Sequence, residues 1–143
     1  MLTADDDEAR VEQRRLTESA SSPTARALVA AEAAAQKMGR DIVILDVAPI
    51  IAIIDRFVLV SASNTRQVRT IVDEVQDAMR ADDGSKALGV EGLEDASWVL
   101  LDYGDVVVHV FLEETRAYYD LDRLWADATR IPNDSSRVAA GDR

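Results

Sequence analysis

The 143-residue chain contains no cysteine and a single histidine, His109. Disulfide bonds, zinc–thiolate sites and thiol catalysis are therefore excluded, as is a metal site built from several histidines of one chain. No apolar run approaches the ~20 residues that a membrane-spanning helix needs. The first residues are acidic and lack the basic, then apolar order of a signal peptide, so we expect a cytoplasmic protein with no membrane partner.

Basic residues are also few, because 16 Lys and Arg stand against 27 Asp and Glu, for a formal net charge of −11. This balance argues against broad binding to nucleic-acid phosphates and against an anionic membrane surface. The negative net charge favours a basic protein as the partner. Apolar residues, in contrast, make up 48% of the chain, which is enough for one folded domain without disulfide or metal cross-links.

Large apolar side chains are scarce at both ends of the chain. Residues 1–22 and 130–143 are rich in charged and small polar residues, and we expect both segments to be disordered or mobile tails. The folded domain should then span residues 23–129. It shows no internal repeat and no glycine motif of the kind that cradles phosphate groups.

Three helices are predicted from the spacing of apolar residues. The first spans 23–38 after the cap residue Ser22, with an apolar stripe of Leu28, Ala31, Ala35 and Met38. The second spans 64–81, with Ser63 and Asn64 as cap candidates and a stripe of Val68, Ile71, Val72, Val75 and Met79. The third spans 113–129, in one or two pieces, with one face formed by Tyr118, Leu121, Leu124, Trp125 and Ala128.

Five strands are predicted from short runs rich in Val, Ile and aromatic residues: 41–47, 56–62, 88–91, 97–102 and 105–112. The apolar segment 50–54 fits either a helical turn packed on the sheet or part of a strand. The order of elements indicates an α/β or α+β fold with a mixed five-stranded sheet flanked by helices.

The predicted hairpin of 97–102 and 105–112 carries the most distinctive side chains. With Tyr103-Gly104 as the turn, Asp102 lies opposite Asp105, Leu100 opposite Val107, and Trp98 opposite His109. The other face is uniformly aliphatic and must belong to the core: Val99, Leu101, Val106, Val108 and Val110.

The first face of this hairpin mixes aromatic, apolar and acidic groups, a composition typical of docking surfaces. A rigid hairpin would hold such groups in place, and a turn wider than two residues would free Tyr103. The alternative is that Trp98 and His109 simply pack beneath a helix. We predict a partner-binding patch formed by Trp98, Leu100, Asp102, Tyr103, Asp105 and His109.

Catalytic interpretations of these residues have less support. His109 has no Ser or Cys at a spacing that indicates a catalytic pair, and a lone His in a Val-rich strand is more often structural. The pairs Asp102/Asp105 and Asp120/Asp122 could bind a divalent cation. A turn explains the first pair without a metal, and a helix N-terminus explains the second. No catalytic residue, metal ligand or cofactor is therefore assigned.

Several segments resemble, in order and spacing, the ribosomal silencing factor family (RsfS, also called Iojap-like). Residues 98–111 are similar to the central signature of that family, and the other matching segments are 41–47, 55–68, Glu91-Gly92 and 114–125. The resemblance covers about residues 24–128. Arg56 departs from the family pattern, in which many members have a Tyr, and this leaves local surface details open.

The resemblance implies a nucleotidyltransferase-like fold without transferase activity. It also implies binding to the large ribosomal subunit, chiefly to the fourteenth large-subunit protein, with little direct nucleic-acid contact. Members bound there prevent the small subunit from joining and so repress translation when nutrients are short. Whether the chain also forms a homodimer is left open.

A residual metal-dependent nucleotidyl- or phosphoryltransferase is the alternative function, and it would use Asp102, Asp105, Asp120 or Asp122. A working transferase of that class has a D-x-D motif on a strand of the sheet. Here the only D-x-D of the predicted core is Asp120-Leu-Asp122, which follows the sheet.

Overall fold

The structure is a computed structural model that describes residues 22–134. Its strands are β1 (Arg40–Asp46), β2 (Arg56–Ala62), β3 (Gly89–Glu91), β4 (Trp98–Asp102), β5 (Val106–Leu112) and β6 (Thr129–Ile131). Its helices are α1 (Pro23–Gln36), α2 (Thr65–Asp83), α3 (Glu113–Tyr118) and α4 (Leu121–Leu124). The tails predicted over 1–22 and 130–143 lie mostly outside the described residues.

The six strands form one sheet in the order β3-β4-β5-β2-β1-β6. β2 and β5 pair in parallel, which requires a crossover, and α2 lies between them in the chain. The other neighbours pair antiparallel. The prediction of a mixed sheet flanked by helices is thus confirmed.

The sixth strand was not predicted. Arg130 and Ile131, assigned from the sequence to the C-terminal tail, lie in β6 and pair with Leu45 and Ile44 of β1. The folded part therefore extends past the predicted boundary at residue 129. β6 has only three residues and Pro132 follows it, so its sequence gives no alternating pattern, and its pairing with β1 is what makes it a strand.

Helices α1 and α2 cover one face of the sheet, and their caps form as predicted. The Ser22 hydroxyl accepts from Ala25 N at 3.1 Å, and the Asn64 side chain accepts from Gln67 N at 2.8 Å. The predicted α2 stripe is fully buried. The α1 stripe was correct at Ala31 and Ala35 and wrong at Leu28 and Met38, which are exposed. The buried residues of this helix are Ala27, Ala30, Ala31, Ala33 and Ala34.

Close packing explains the alanine face of α1. A Cβ added at Gly39, just after the helix, would lie 2.7 Å from Val60 Cγ1 and 2.9 Å from Ala34 O. The chain there approaches β2 too closely for a larger side chain. Small residues on α1 allow the same close approach along the helix, whereas a stripe of large apolar residues would not.

The sheet separates two apolar clusters. The helix-covered face packs against α1 and α2 and includes Val58, Val60, Val99, Leu101, Val106, Val108 and Val110. The opposite face, called the aromatic face below, is formed by Leu45, Phe57, Leu59, Trp98, Leu100, Val107, His109 and Phe111. The predicted division of the β4–β5 hairpin into an aliphatic face and a mixed face is confirmed.

The C-terminal segment from α3 to Ala128 packs over part of the aromatic face through Leu121, Trp125 and Ala128. It was predicted as helical, but Asp120 takes a φ of +50° and separates the two short helices. The predicted common face is therefore broken. Tyr118 is 80% exposed and Leu124 is 66% exposed.

Arg116 fastens this segment to the sheet. Its guanidinium donates to Ser61 Oγ at 2.9 Å and to the Asp41 carbonyl at 2.8 Å. It also donates to both carboxylate oxygens of Asp122, at 2.9 and 3.3 Å. The residue is only 6% exposed, so these bonds satisfy a buried charge and link α3 to β1, β2 and α4.

Residues 50–54 form turns and no strand. The N–H groups of Ile50 and Ile51 both donate to the Val47 carbonyl, at 2.9 and 2.7 Å. Ile51 and Ile54 pack against the aromatic face, while Ile53 is 83% exposed. Over residues 22–134, no helix is long and apolar enough to cross a lipid bilayer.

Candidate docking face

The β4–β5 hairpin has a different register from the predicted one. Trp98 pairs with Phe111, Leu100 with His109, and Asp102 with Val107. The two-residue turn is therefore Gly104-Asp105 and not Tyr103-Gly104. Gly104 has a φ of +90°, and it stands at the first central position of the turn, where type II′ turns require glycine.

A one-residue shift of the turn moves two of the predicted site residues off the face. Trp98, Leu100, Asp102 and His109 remain on the aromatic side of the hairpin, because the register changes by two and the faces alternate with period two. Tyr103 instead packs into the helix-covered cluster. Asp105 lies in the turn itself. The six predicted residues therefore do not form one surface.

Tyr103 and Asp105 both contact Arg26 of α1. The Arg26 guanidinium carbon lies 5.8 Å from the centre of the Tyr103 ring, and its Nη1 pairs with the Asp105 carboxylate. Arg26 also pairs with Asp83 Oδ2 at 3.0 Å. Tyr103 is 6% exposed, and burial raises the pKa of its hydroxyl. These groups fasten the hairpin turn to α1 and to the end of α2, which is a structural role.

Asp105→Asn should lower the free energy of unfolding by about 1–2 kcal/mol and leave partner binding unchanged, because it weakens a partly buried ion pair. Chemical denaturation measures the loss. Asp73→Asn, the same change at an exposed position on α2, is the matched control and should cost under about 0.5 kcal/mol. Equal losses in the two variants would show that the Arg26 pair contributes nothing.

His109 is buried among aromatic rings. It is 7% exposed, its ring centre lies 4.6 Å from that of Phe57 in an edge contact, and it stacks on Phe111 at 5.8 Å and 11°. Nδ1 accepts from the Trp98 indole N–H at 3.2 Å. Nε2 has no hydrogen-bond partner within residues 22–134. Burial lowers the pKa of His109 to about 4.

This shift predicts that stability depends on pH between about 6.5 and 4. The unfolded chain binds a proton on His109 below about pH 6.5, whereas the folded chain does so only near pH 4. Stability is therefore complete above pH 6.5 and falls, by up to about 3 kcal/mol, as the pH drops to 4.

Denaturation of the wild type and of His109→Phe across this pH range checks the prediction. The phenyl ring that replaces the imidazole in this variant cannot titrate, so the difference between the two stability curves isolates the imidazole from the carboxylates. The prediction is wrong if the two curves run parallel.

Trp98 and Leu100 are the half-buried members of the aromatic face. The Trp98 ring centre lies 5.2 Å from Phe111 and 5.7 Å from Tyr119, which is 57% exposed. Glu91 of β3 pairs with Leu100, so its exposed carboxylate stands beside that residue. Asp102, whose Oδ1 accepts from Gly104 N at 2.8 Å, lies two residues further along β4. An apolar edge next to carboxylates is thus open to a partner.

Tyr119 and Glu91 were missed by the sequence interpretation. Tyr119, at the C-terminal end of α3, contacts Trp98, and Glu91 reaches Leu100 through the pairing of β3 with β4. The sequence does predict an edge strand over 88–91. Pairing that strand with β4 would have placed Glu91 beside the hairpin.

The four aspartates considered for metal or transferase chemistry do not converge. Asp105 pairs with Arg26, and Asp122 pairs with Arg116. Asp102 accepts a turn N–H, and Asp120 lies 3.9 Å from the exposed guanidinium of Arg123. In the described part of the chain, no three His, Asp or Glu side chains are grouped to hold a metal ion.

A model of the family described as "Ribosomal silencing factor during starvation" matches residues 19–143. The chain belongs to this family. It is 42% identical over 101 residues to the ribosomal silencing factor RsfS of Bacillus subtilis, with 70% of this chain and 84% of that protein covered. The family resemblance found in the sequence is thereby confirmed.

Two further relatives extend the comparison. A crystal structure of a Chromobacterium violaceum protein superposes with a TM-score of 0.64 at 38% identity, covering 68% of this chain and 81% of that one. The mouse protein named "Mitochondrial assembly of ribosomal large subunit protein 1" is 33% identical over 95 residues, or 63% of this chain and 40% of its own length. The similarity thus extends from bacterial proteins to a mitochondrial relative.

Proposed function

We propose that this chain binds the large ribosomal subunit, prevents the small subunit from joining, and so represses translation when nutrients are limiting. The observation that carries the proposal is the open, carboxylate-flanked edge of the aromatic face at Trp98 and Leu100, in a chain of this family. The name of the mouse relative, which refers to the large subunit, supports the choice of subunit.

The proposed partner is chiefly the fourteenth protein of the large subunit, a basic protein. Trp98 and Leu100 would be buried against it as the apolar centre, because aromatic side chains contribute most where water is fully excluded. Asp102 and Glu91 would face its Lys and Arg side chains and set the orientation of docking. Tyr103, Asp105 and His109 would support this surface from within the fold.

The proposed mechanism is steric and needs no catalysis. A folded domain bound on the inter-subunit face occupies space that the small subunit must enter. The net charge of −11 repels ribosomal RNA, so contact is favoured at a basic protein and disfavoured elsewhere on the subunit. The cytoplasm is the proposed location.

Co-sedimentation with separately purified ribosomal subunits tests the proposal. We expect the chain to pellet with large subunits and not with small ones, and to bind the isolated fourteenth large-subunit protein. Binding should weaken with salt, because charge pairs contribute to it. Equal binding to both subunits, or none, would contradict the proposal, and nucleotide turnover with Mg²⁺ would favour the transferase alternative.

A further inference from the structure

We infer that His109 is a positioning residue, which holds the indole ring of Trp98 in the orientation used for docking and does not itself touch the partner. The inference rests on the proposed docking role of Trp98. It assigns His109 a function different from that of a contact residue, and it follows from the burial and hydrogen bonding of the two side chains.

The bond between the two rings has a fixed direction. The indole N–H can only donate, so His109 Nδ1, at 3.2 Å, must be unprotonated. The neutral imidazole therefore carries its hydrogen on Nε2. A protonated ring would present N–H groups on both sides, and the N–H at Nδ1 would oppose the indole N–H. The bond thus requires the neutral form, which the aromatic surroundings of His109 favour.

His109 is itself held in place. It stacks on Phe111 and contacts Phe57 edge-on, and it pairs across the strands with Leu100. With 7% of its surface exposed, it cannot bury appreciable area against a partner. Its acceptor nitrogen Nδ1 is therefore held in a fixed position beneath the docking edge.

Trp98 needs a fixed hydrogen-bond acceptor to hold its orientation because it is only half-buried. Phe111 and Tyr119 pack against its ring at 5.2 and 5.7 Å, but ring packing leaves the direction of the indole edge less restricted than a hydrogen bond does. A docking residue already held in its bound orientation loses less conformational freedom on binding. The bond to His109 thus makes Trp98 a preorganised anchor.

The test combines NMR of the indole N–H groups with affinity for purified large subunits. The chain has two tryptophans, Trp98 and Trp125, and a Trp125→Phe variant assigns their signals. His109→Phe keeps an aromatic ring in the stack but removes the acceptor. His109→Asn offers an oxygen near the place of Nδ1 and serves as the conservative rescue. Trp98→Phe removes the donor.

We expect His109→Phe to shift the Trp98 indole signal, to speed its hydrogen exchange at least tenfold, and to weaken subunit binding about fivefold. His109→Asn should restore part of both effects. His109→Phe should add little to Trp98→Phe, because the donor is already gone. Thermal melts of each variant separate these effects from unfolding, and if His109→Phe fails to fold, His109→Asn and Trp98→Phe carry the test.

An unchanged Trp98 signal and unchanged affinity in His109→Phe would overturn the inference. The proposed function fails in a different way. If Trp98→Ala binds large subunits like the wild type, the docking role of the aromatic face is wrong and the positioning role falls with it. If Trp98→Ala loses binding while His109→Phe changes nothing, only the positioning role is overturned.

Discussion

Val108→Asp should destabilise the fold by about 4 kcal/mol or more, enough to unfold much of the protein. Val108 is fully buried in β5, at the centre of the sheet, paired with Val58 on one side and Leu101 on the other. Its side chain lies on the helix-covered face, where an unpaired carboxylate would find no water and no cation.

Urea denaturation or a thermal melt measures this loss. Leu88→Asp is the matched control, since it also replaces an apolar residue by a carboxylate but at a position that is 77% exposed. It should change stability by no more than about 0.5 kcal/mol. A loss under about 1 kcal/mol for Val108→Asp would mean that Val108 does not lie in the buried core.

Trp98→Ala should weaken binding to large subunits by about 2 kcal/mol or more, roughly 30-fold. The substitution removes the largest side chain at the open edge of the aromatic face and leaves the His109 acceptor without its donor. Met38→Ala is the matched control, because it also shortens an exposed apolar side chain, next to α1 and away from β4. It should bind like the wild type.

A thermal melt must accompany the binding measurement, because Trp98 is half-buried and packs against Phe111. We expect Trp98→Ala to remain folded at the temperature of the assay and still bind poorly. A folded variant that binds with wild-type affinity would exclude Trp98 from the interface.

The elements and the faces of the hairpin were predictable because each follows from local periodicity. Alternation along β4 and β5 survives an error in register, so Val108 was placed in the core even though its partner was misassigned. The α2 stripe was equally clear, since large apolar residues at helical spacing admit one buried face.

The turn of the hairpin could not be placed from its sequence alone. Gly104 suits either central position of a two-residue turn, and the choice moves the register by two. The contacts that distinguish the two registers are distant in sequence, since the partner of Asp105 is Arg26, 79 residues earlier. Tyr103 belongs to the core for the same reason, because its ring lies against Arg26 of α1.

Arg116 illustrates a second limit of sequence interpretation. In the sequence, Arg116 resembles an ordinary charged residue on the exposed face of a helix. In the structure it is buried and hydrogen-bonded to Ser61 and Asp122. After the helix break at Asp120, Asp122 lies within hydrogen-bond distance of Arg116, and Tyr119, just before the break, contacts Trp98. None of these contacts follows from periodicity.

A subunit-joining experiment on sucrose gradients tests the central claim most directly. Purified large subunits are incubated with an excess of the wild-type chain, of Trp98→Ala or of Met38→Ala before small subunits are added. We predict that the wild type and Met38→Ala leave the subunits separate, while Trp98→Ala allows joined ribosomes to form. Joined ribosomes in the presence of the bound wild-type chain would contradict the account.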